Sequence, residues 1–362
     1  MSDEKIITYS YGQDDKSAIE AKFEAQKIAF APIMFQAARS LINLGILDLI
    51  QKNRRKGISL EDISKELNIS TYGAKVLLEA GLSMNLVYVR DGLFFLTKTG
   101  WFLLKDELTR VNMDFTNDVN YQGFFHLEES IKNGKPEGLK VFGDWDTIYE
   151  GLSQLPEKAK ESWFNFDHYY SDIAFPEVLP ILFENKPKKG MDVGGNTGKF
   201  AIKAAEYDPD VKITILDLPG QLNVAYENIE KAGLSDRIDG YPMDLLDHSK
   251  EFPKGYDFVW MSQFLDCFGQ DDILQLLKRG KAALNENGSL YILETYWDKQ
   301  DFEASTYSLH ATSLYFTCLA NGTSQMYHHH DMIRLIDKAG LKIDKEWERI
   351  GVSHTLYKCV PK

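Results

Sequence analysis

The sequence predicts an α/β protein, with a parallel sheet covered by helices on both faces behind a helical N-terminal module. Three observations carry this. From Met191 onward, strand-like and helix-like segments alternate. A glycine-rich turn, Asp192-Val193-Gly194-Gly195-Asn196-Thr197-Gly198, joins the first of these strands to the first of these helices. Residues 57–96 read as helix, helix, hairpin. Short apolar runs alternating with amphipathic helices are the pattern of βαβ units.

Strands are expected at Gly190–Val193, Lys212–Leu216, Asp257–Met261 and Ser289–Leu293, with helices near Lys199–Tyr207, Leu222–Ala232, Asp271–Leu284 and His330–Ala339. The tail, LKIDKEWERI followed by SHTLYKCV, reads as two closing strands. Ahead of the alternation, residues 105–185 are helical and rich in aromatics, including Trp145, Trp163, Phe164, Phe166, Tyr169 and Tyr170. Aromatics at this density are core first, yet a segment between folded units is also where small-molecule pockets form. Three regions follow: 1–104, 105–186 and 187–362.

Residues 1–20 read as a polar arm, and Phe30 to Ile50 as a helix apolar on most sides. Such a helix belongs in a core or a subunit interface, which predicts a homodimer. Ser59, with Asp62 three residues on, starts one short helix, and Thr71–Ser83 forms another. Leu86–Val89 and Leu93–Leu96 flank the tight turn Arg90-Asp91-Gly92, completing a winged-helix outline. That outline suggests DNA reading, but Lys75 is offset by Glu79 and Arg90 sits beside Asp91. A packing or dimerising module is the better reading, because DNA-reading helices carry surplus Arg and Lys.

Composition narrows the function. The 362 residues are 44% apolar and 26% charged, with a formal net charge of -13. An acidic chain repels nucleic acid and anionic membranes. Cys267, Cys318 and Cys359 form no CxxC pair, so neither a disulfide framework nor a structural zinc site is expected. No apolar run approaches the roughly 18 residues of a membrane span. The expected location is cytoplasmic.

The glycine turn decides the cofactor class. Gly194 and Gly195 let the backbone turn sharply and approach a ligand, and Gly198 opens the next helix. The second strand ends in Asp217, about twenty residues on, where an acid accepts from ribose hydroxyls. A dinucleotide fingerprint fails because Asn196 and Lys199 stand where glycines are needed, and no Gly-Lys-Ser/Thr follows for a P-loop. What stands is D-x-G-G-x-x-G, a turn that cradles an amino-acid moiety rather than a pyrophosphate.

On the turn, on Leu216-Asp217-Leu218-Pro219, and on the block VWMSQFLDCFGQDDILQLLK from Val259, the chain resembles class I S-adenosylmethionine methyltransferases. More narrowly it resembles small-molecule O-methyltransferases of the plant caffeate and bacterial polyketide type, over nearly its whole length. The resemblance implies a Rossmann-like seven-stranded methyltransferase domain preceded by an α-helical winged-helix dimerisation domain. It also implies S-adenosyl-L-methionine as cofactor and a small aromatic or polyketide-like hydroxyl as methyl acceptor. Carried over by position, Asp192, Gly194, Gly195 and Gly198 form the cofactor turn. Asp217 would hold the ribose, Leu218 would touch adenine, Asp244 and Leu245 would sit beside it, and Ser262 would be the polar residue near the cofactor.

The catalytic block departs from the family. Leu265-Asp266-Cys267-Phe268 stands where a Leu-His-Asp-Trp block is usual, so Asp266 occupies the base position. Glu294 matches the first acid flanking the base, whereas Thr323-Ser324-Gln325 replaces the second. Asp266 is a base or proton relay, a substrate-orienting acceptor, or a structural cap. The departure leaves open a methyltransferase-fold enzyme that binds the cofactor without transfer, as in hydroxylase- or pericyclase-like relatives. His310 is either an alternative base or a satisfied core histidine. His168 lies in the expected acceptor segment. His328-His329-His330 reads as a solvated helix start with divergent side chains, so no metal site is expected.

Overall fold

The computed structural model describes residues 11–12 and 14–362, the side chains of 170–172 excepted. Residues 1–10 of the expected arm and Gln13 therefore lie outside the described residues. The chain forms two compact units, one ending at Asp114 and the other beginning at Phe115.

The first unit opens with α1 (Ala18–Asn43), longer than expected because Ser17 and Glu20 close a capping box at its start. Gly45, in the left-handed region at φ 79, breaks the expected Phe30–Ile50 helix and starts α2 (Ile46–Lys52). Then follow α3 (Leu60–Glu66), capped by Ser59, and α4 (Thr71–Ser83). The hairpin β1 (Val87–Arg90) and β2 (Leu93–Leu96) turns on Asp91 and Gly92, both at positive φ. This is the two-residue turn that matches strand twist, so Arg90 belongs to the strand. α5 (Lys98–Lys105) and α6 (Glu107–Phe115) complete the unit. Leu41, Ile46, Leu47, Ile50, Ile63 and Leu78 form its core. The first half of α1 stays outside that core, with Ile19, Phe23, Ile28, Phe30 and Ile33 exposed.

The second unit begins with short helices and turns, including α7 (Leu127–Asn133), α8 (Ile148–Gly151), α9 (Glu157–Asp172) and α10 (Phe175–Leu182). The alternation then runs β3 (Lys189–Val193), α11 (Lys199–Tyr207), β4 (Lys212–Asp217), α12 (Pro219–Lys231), β5 (Ile238–Pro242) and β6 (Tyr256–Ser262). After these come α13 (Gln270–Ala283), β7 (Leu284–Glu294), α14 (Glu303–Tyr315), α15 (His329–Lys338), β8 (Leu341–Ile350) and β9 (His354–Pro361). The strands make one seven-stranded sheet, ordered β5-β4-β3-β6-β7-β9-β8. The five strands from β5 to β7 run parallel, and β9 is antiparallel to both its neighbours.

Two apolar layers cover the sheet, one around Val259, Met261, Leu276 and Ile292, the other around Phe200, Ile215, Trp260 and Leu293. Strand order reverses at β3, which opens a crevice beyond the carboxyl ends of β3, β4 and β6. The aromatic segment builds its own core: Phe115, Leu152 and Trp163 pack with Tyr315, Phe316 and Leu319 from α14 and the turn after it. Trp163 Nε1 donates to Tyr315 Oη at 2.7 Å, so α9 is tied to α14. Among the described residues no single helix is long and apolar enough to cross a membrane.

Candidate functional site

Beyond the crevice lies a cavity of about 530 Å³, within the range of small-molecule sites. Its floor is the turn after β3. Gly194 sits at φ 72, and a Cβ there would lie 2.3 Å from the Phe264 ring. A Cβ on Gly195 would meet Asp192 Oδ2 and Ile215 Cγ2, each at 2.7 Å. Only glycine therefore keeps the floor open. Gly198, at φ 78, is the N-cap of α11 and does not itself line the cavity.

The end of β4 supplies Asp217, which accepts from the backbone N–H of Asn196 at 2.8 Å and of Leu218 at 2.7 Å. These bonds fix the carboxylate against the glycine turn, with Leu218 on the same wall. Burial pushes Asp217 up to about 6. Burial, and then the neighbouring Asp217 charge, push Asp192 up to about 8. Asp244, Leu245 and Ser262 also line this cavity. Eight of the nine expected cofactor residues thus share one wall system, and Gly198 supports it from behind.

Asp266 lies elsewhere. It sits on the short turn Leu265–Cys267 and lines a smaller cavity of about 80 Å³, together with Leu309, Thr312, Tyr315, Phe316 and Met326. The two cavities adjoin: Tyr149, Trp163, Asp167, Gln263 and Cys267 line both. Burial pushes the Asp266 carboxyl up to about 7, opposed by a Cys267 hydrogen bond and helped by the Asp167 charge.

Glu294, fully buried at the end of β7, lines neither cavity. Its Oε1 accepts from the backbone N–H of Phe264 at 3.0 Å and of Leu265 at 2.8 Å, so it holds the turn that carries Asp266. Burial and the Asp266 charge raise it well above the usual carboxylate range. Asn321 also ties this turn, its Nδ2 donating to the Cys267 carbonyl and its Oδ1 accepting from the backbone of Thr323 and Ser324.

His310 is not brought to either cavity. It is exposed, its ring 5.0 Å from Trp297. Leu309 and Thr312, three apart on α14, face the inner cavity, and His310 is rotated away from them by helix geometry. His168 lines the larger cavity. Sequence reasoning passed over Asp167, Tyr149, Gln263 and Asn196. The one signal for Asp167 was its place in the aromatic segment, one helical turn after Trp163.

The consecutive histidines also differ from expectation. His328 is the N-cap of α15, with extended backbone outside the helix. It therefore escapes the divergence that a helix imposes, and both His328 and His329 face Asp298.

The larger cavity fits a cofactor with an amino-acid end, a ribose and a base. Asp192 Oδ2, Asn196 Oδ1, Ser262 Oγ and Gln263 Nε2 are buried with no hydrogen-bond partner among the described residues. Buried polar atoms left unpaired are costly, so a ligand that pairs them is favoured. A doubly wound sheet, a glycine cradle at its switch point and a ribose-binding acid define a nucleotide-cofactor enzyme.

Residues 124–342 match the family model described as O-methyltransferase domain, and residues 22–94 match the Dimerisation2-like domain. The chain belongs to the O-methyltransferase family and is an S-adenosylmethionine-dependent methyltransferase. Its relatives include an L-tyrosine C(3)-methyltransferase of Streptomyces lavendulae, 26% identical over 317 residues, covering 86% of this chain and 85% of the relative. Another is a mitomycin biosynthesis 6-O-methyltransferase of Streptomyces lavendulae, 22% identical, covering 86% of each. Among solved structures, the S-adenosylmethionine-dependent methyltransferase SibL in its apo form aligns with TM-score 0.71 at 23% identity. That alignment covers 93% of this chain and 98% of SibL.

Proposed function

We propose that this chain methylates a hydroxyl on a small aromatic acceptor held where the inner cavity meets the larger one, with Asp266 as the group that takes the proton. The observation that carries the reading is the junction of the two cavities. An aromatic-walled pocket lined by the Asp266 carboxyl adjoins the cavity of the glycine cradle, the two sharing Tyr149, Trp163, Asp167, Gln263 and Cys267. Bound there, S-adenosylmethionine supplies a methyl group on a sulfonium.

The chain's residues do the rest. Gly194 and Gly195 admit the amino-acid end, Asp217 accepts from the ribose, and Leu218, Asp244 and Leu245 flank the base. Trp163, Tyr315 and Phe316 present flat apolar walls to an aromatic ring. An ordinary carboxylate, near 4, is a weak base for a phenol near 10. Raised to about 7 by burial, Asp266 is a better match, and exclusion of water lets alignment supply much of the acceleration. Glu294 and Asn321 position the Asp266 turn without touching the acceptor.

A second reading places the new methyl on a ring carbon ortho to the hydroxyl. A phenolate is nucleophilic at both oxygen and ortho carbon. The relative named for C(3) methylation of L-tyrosine favours this, and Asp266 serves it by returning the phenol proton to the ring oxygen as it takes the ring proton, so that one proton leaves overall. We assign subunit pairing to residues 1–104, where α1 exposes Ile19, Phe23, Ile28 and Ile33. Residues 105–186 share the acceptor contacts with Asp266, Tyr315 and Phe316 of the catalytic domain 187–362, which binds the cofactor, and the expected setting is the cytoplasm.

The test is incubation with phenolic acceptors and isotopically labelled methyl donor. S-adenosylhomocysteine release with a one-methyl mass gain supports transfer, and NMR of the product separates oxygen from carbon. Cofactor binding with no turnover across such acceptors would instead favour a non-transferring enzyme on this fold.

A further inference from the structure

We propose that Asp298, His328 and His329 form a binding site for a divalent transition-metal cation, outside the methyl-transfer site. Asp298 follows β7, and the two histidines open α15. One ligand atom from each of the three residues lies within 4.8 Å of the other two. His328 Nε2 is 3.3 Å from Asp298 Oδ2, and His329 Nδ1 is in direct contact with the same oxygen. Ligands around a cation at about 2.0–2.2 Å stand roughly 3–3.5 Å apart, so a small rotation of the rings opens the centre.

The arrangement is held from outside, as metal ligands usually are. Asp298 Oδ1 accepts from the backbone N–H of His329 at 2.9 Å, which aims Oδ2 at the rings. Trp297 packs edge-on to His328 at 5.1 Å between ring centres, and His330 lies over His329 at 3.9 Å. The side chain of His328 is 32% exposed, which provides an entry path and room for water as a further ligand. Nearby Lys299 is engaged by Glu346 and Glu348.

Two imidazoles and one carboxylate suit zinc, cobalt or nickel, whereas magnesium and calcium prefer all-oxygen sets. Binding would place the His328 proton on Nδ1, releasing the exposed His330 N–H that Nδ1 now accepts, a small loss. The cation would also brace the acceptor pocket. Thr295 and Met326, joined at 3.6 Å, line the inner cavity from the two segments that carry Asp298 and His328.

The test uses untagged full-length protein, with Zn²⁺ followed by calorimetry and Co²⁺ by visible absorption. Expected are one cation per chain at micromolar affinity, ligand-field bands from Co²⁺, and a higher Tm with Zn²⁺ than with EDTA. Asp298→Asn and His329→Gln should each weaken Zn²⁺ by at least about tenfold, while His310→Gln should not. Undiminished S-adenosylhomocysteine binding shows that the variants are folded. Wild-type affinity weaker than about millimolar, absence of Co²⁺ bands at stoichiometric metal, or affinity unchanged in both ligand variants overturns the site.

Discussion

Replacing Asp266 by Asn should slow the enzyme and stabilise it at the same time. The carboxyl is 6% exposed, and burial moves it from an ordinary value near 4 to about 7. Three units correspond to about 4 kcal/mol between its two protonation states. The sign follows from the direction of the shift. Between about pH 4 and 7 the folded chain keeps a proton here that the unfolded chain has released, so this group's contribution to stability falls as pH rises, then levels above 7. Glu294 acts in the same sense, so the informative quantity is the difference between wild type and Asp266→Asn. Denaturant unfolding at pH 5 and pH 8 should show the variant gaining at pH 8 relative to pH 5, by about 2.5 kcal/mol. Turnover should move the other way. If the carboxylate takes the acceptor proton, wild-type kcat rises through about pH 7, whereas the variant loses that limb and falls by about 10²–10⁴-fold. A variant within a few-fold of wild type at pH 8, with the pH limb intact, would refute the role and leave Asp266 as an orienting group.

Three further outcomes are expected. Gly194→Ala puts a Cβ into the Phe264 ring at positive φ, so S-adenosylhomocysteine affinity by calorimetry should drop by at least about tenfold. Wild-type affinity should also decline as pH falls below about 6, where Asp217 gains a proton and loses acceptor strength. Asp217→Asn should bind more weakly at pH 8 and lack that decline. Finally, Phe23→Glu/Ile28→Glu/Ile33→Glu on the exposed half of α1 should convert a dimer to monomers in sedimentation, with the cofactor site intact.

Much of this architecture was legible because periodicity and turn chemistry act locally. Thr71–Ser83 and Lys199–Tyr207 begin and end where predicted, and the closing strand Leu341–Ile350 matches LKIDKEWERI. Strand β5 was missed because IDGYP holds glycine and proline, which only an edge strand tolerates. The single helix expected over Phe30–Ile50 hid a break at Gly45, since a lone glycine is also tolerated within helices. The glycine cradle and Asp217 follow one another along the chain, so spacing brought them out. Asp167, Gln263 and Met326 reach the inner cavity from separate elements, and no spacing rule links them. Likewise, helical geometry argued that the consecutive histidines diverge, but His328 caps the helix from outside it.

The crowd of acids around the cradle has a calorimetric consequence. With Asp192 at about 8 and Asp217 at about 6, the unliganded pocket near neutrality holds a partly protonated pair of acids. A positively charged guest favours the ionised forms, so its arrival expels protons to the solvent. The measured heat of association then contains the ionisation heat of whichever buffer takes them up. Titrations in phosphate and in Tris would differ at the same pH, and their difference would count the protons released.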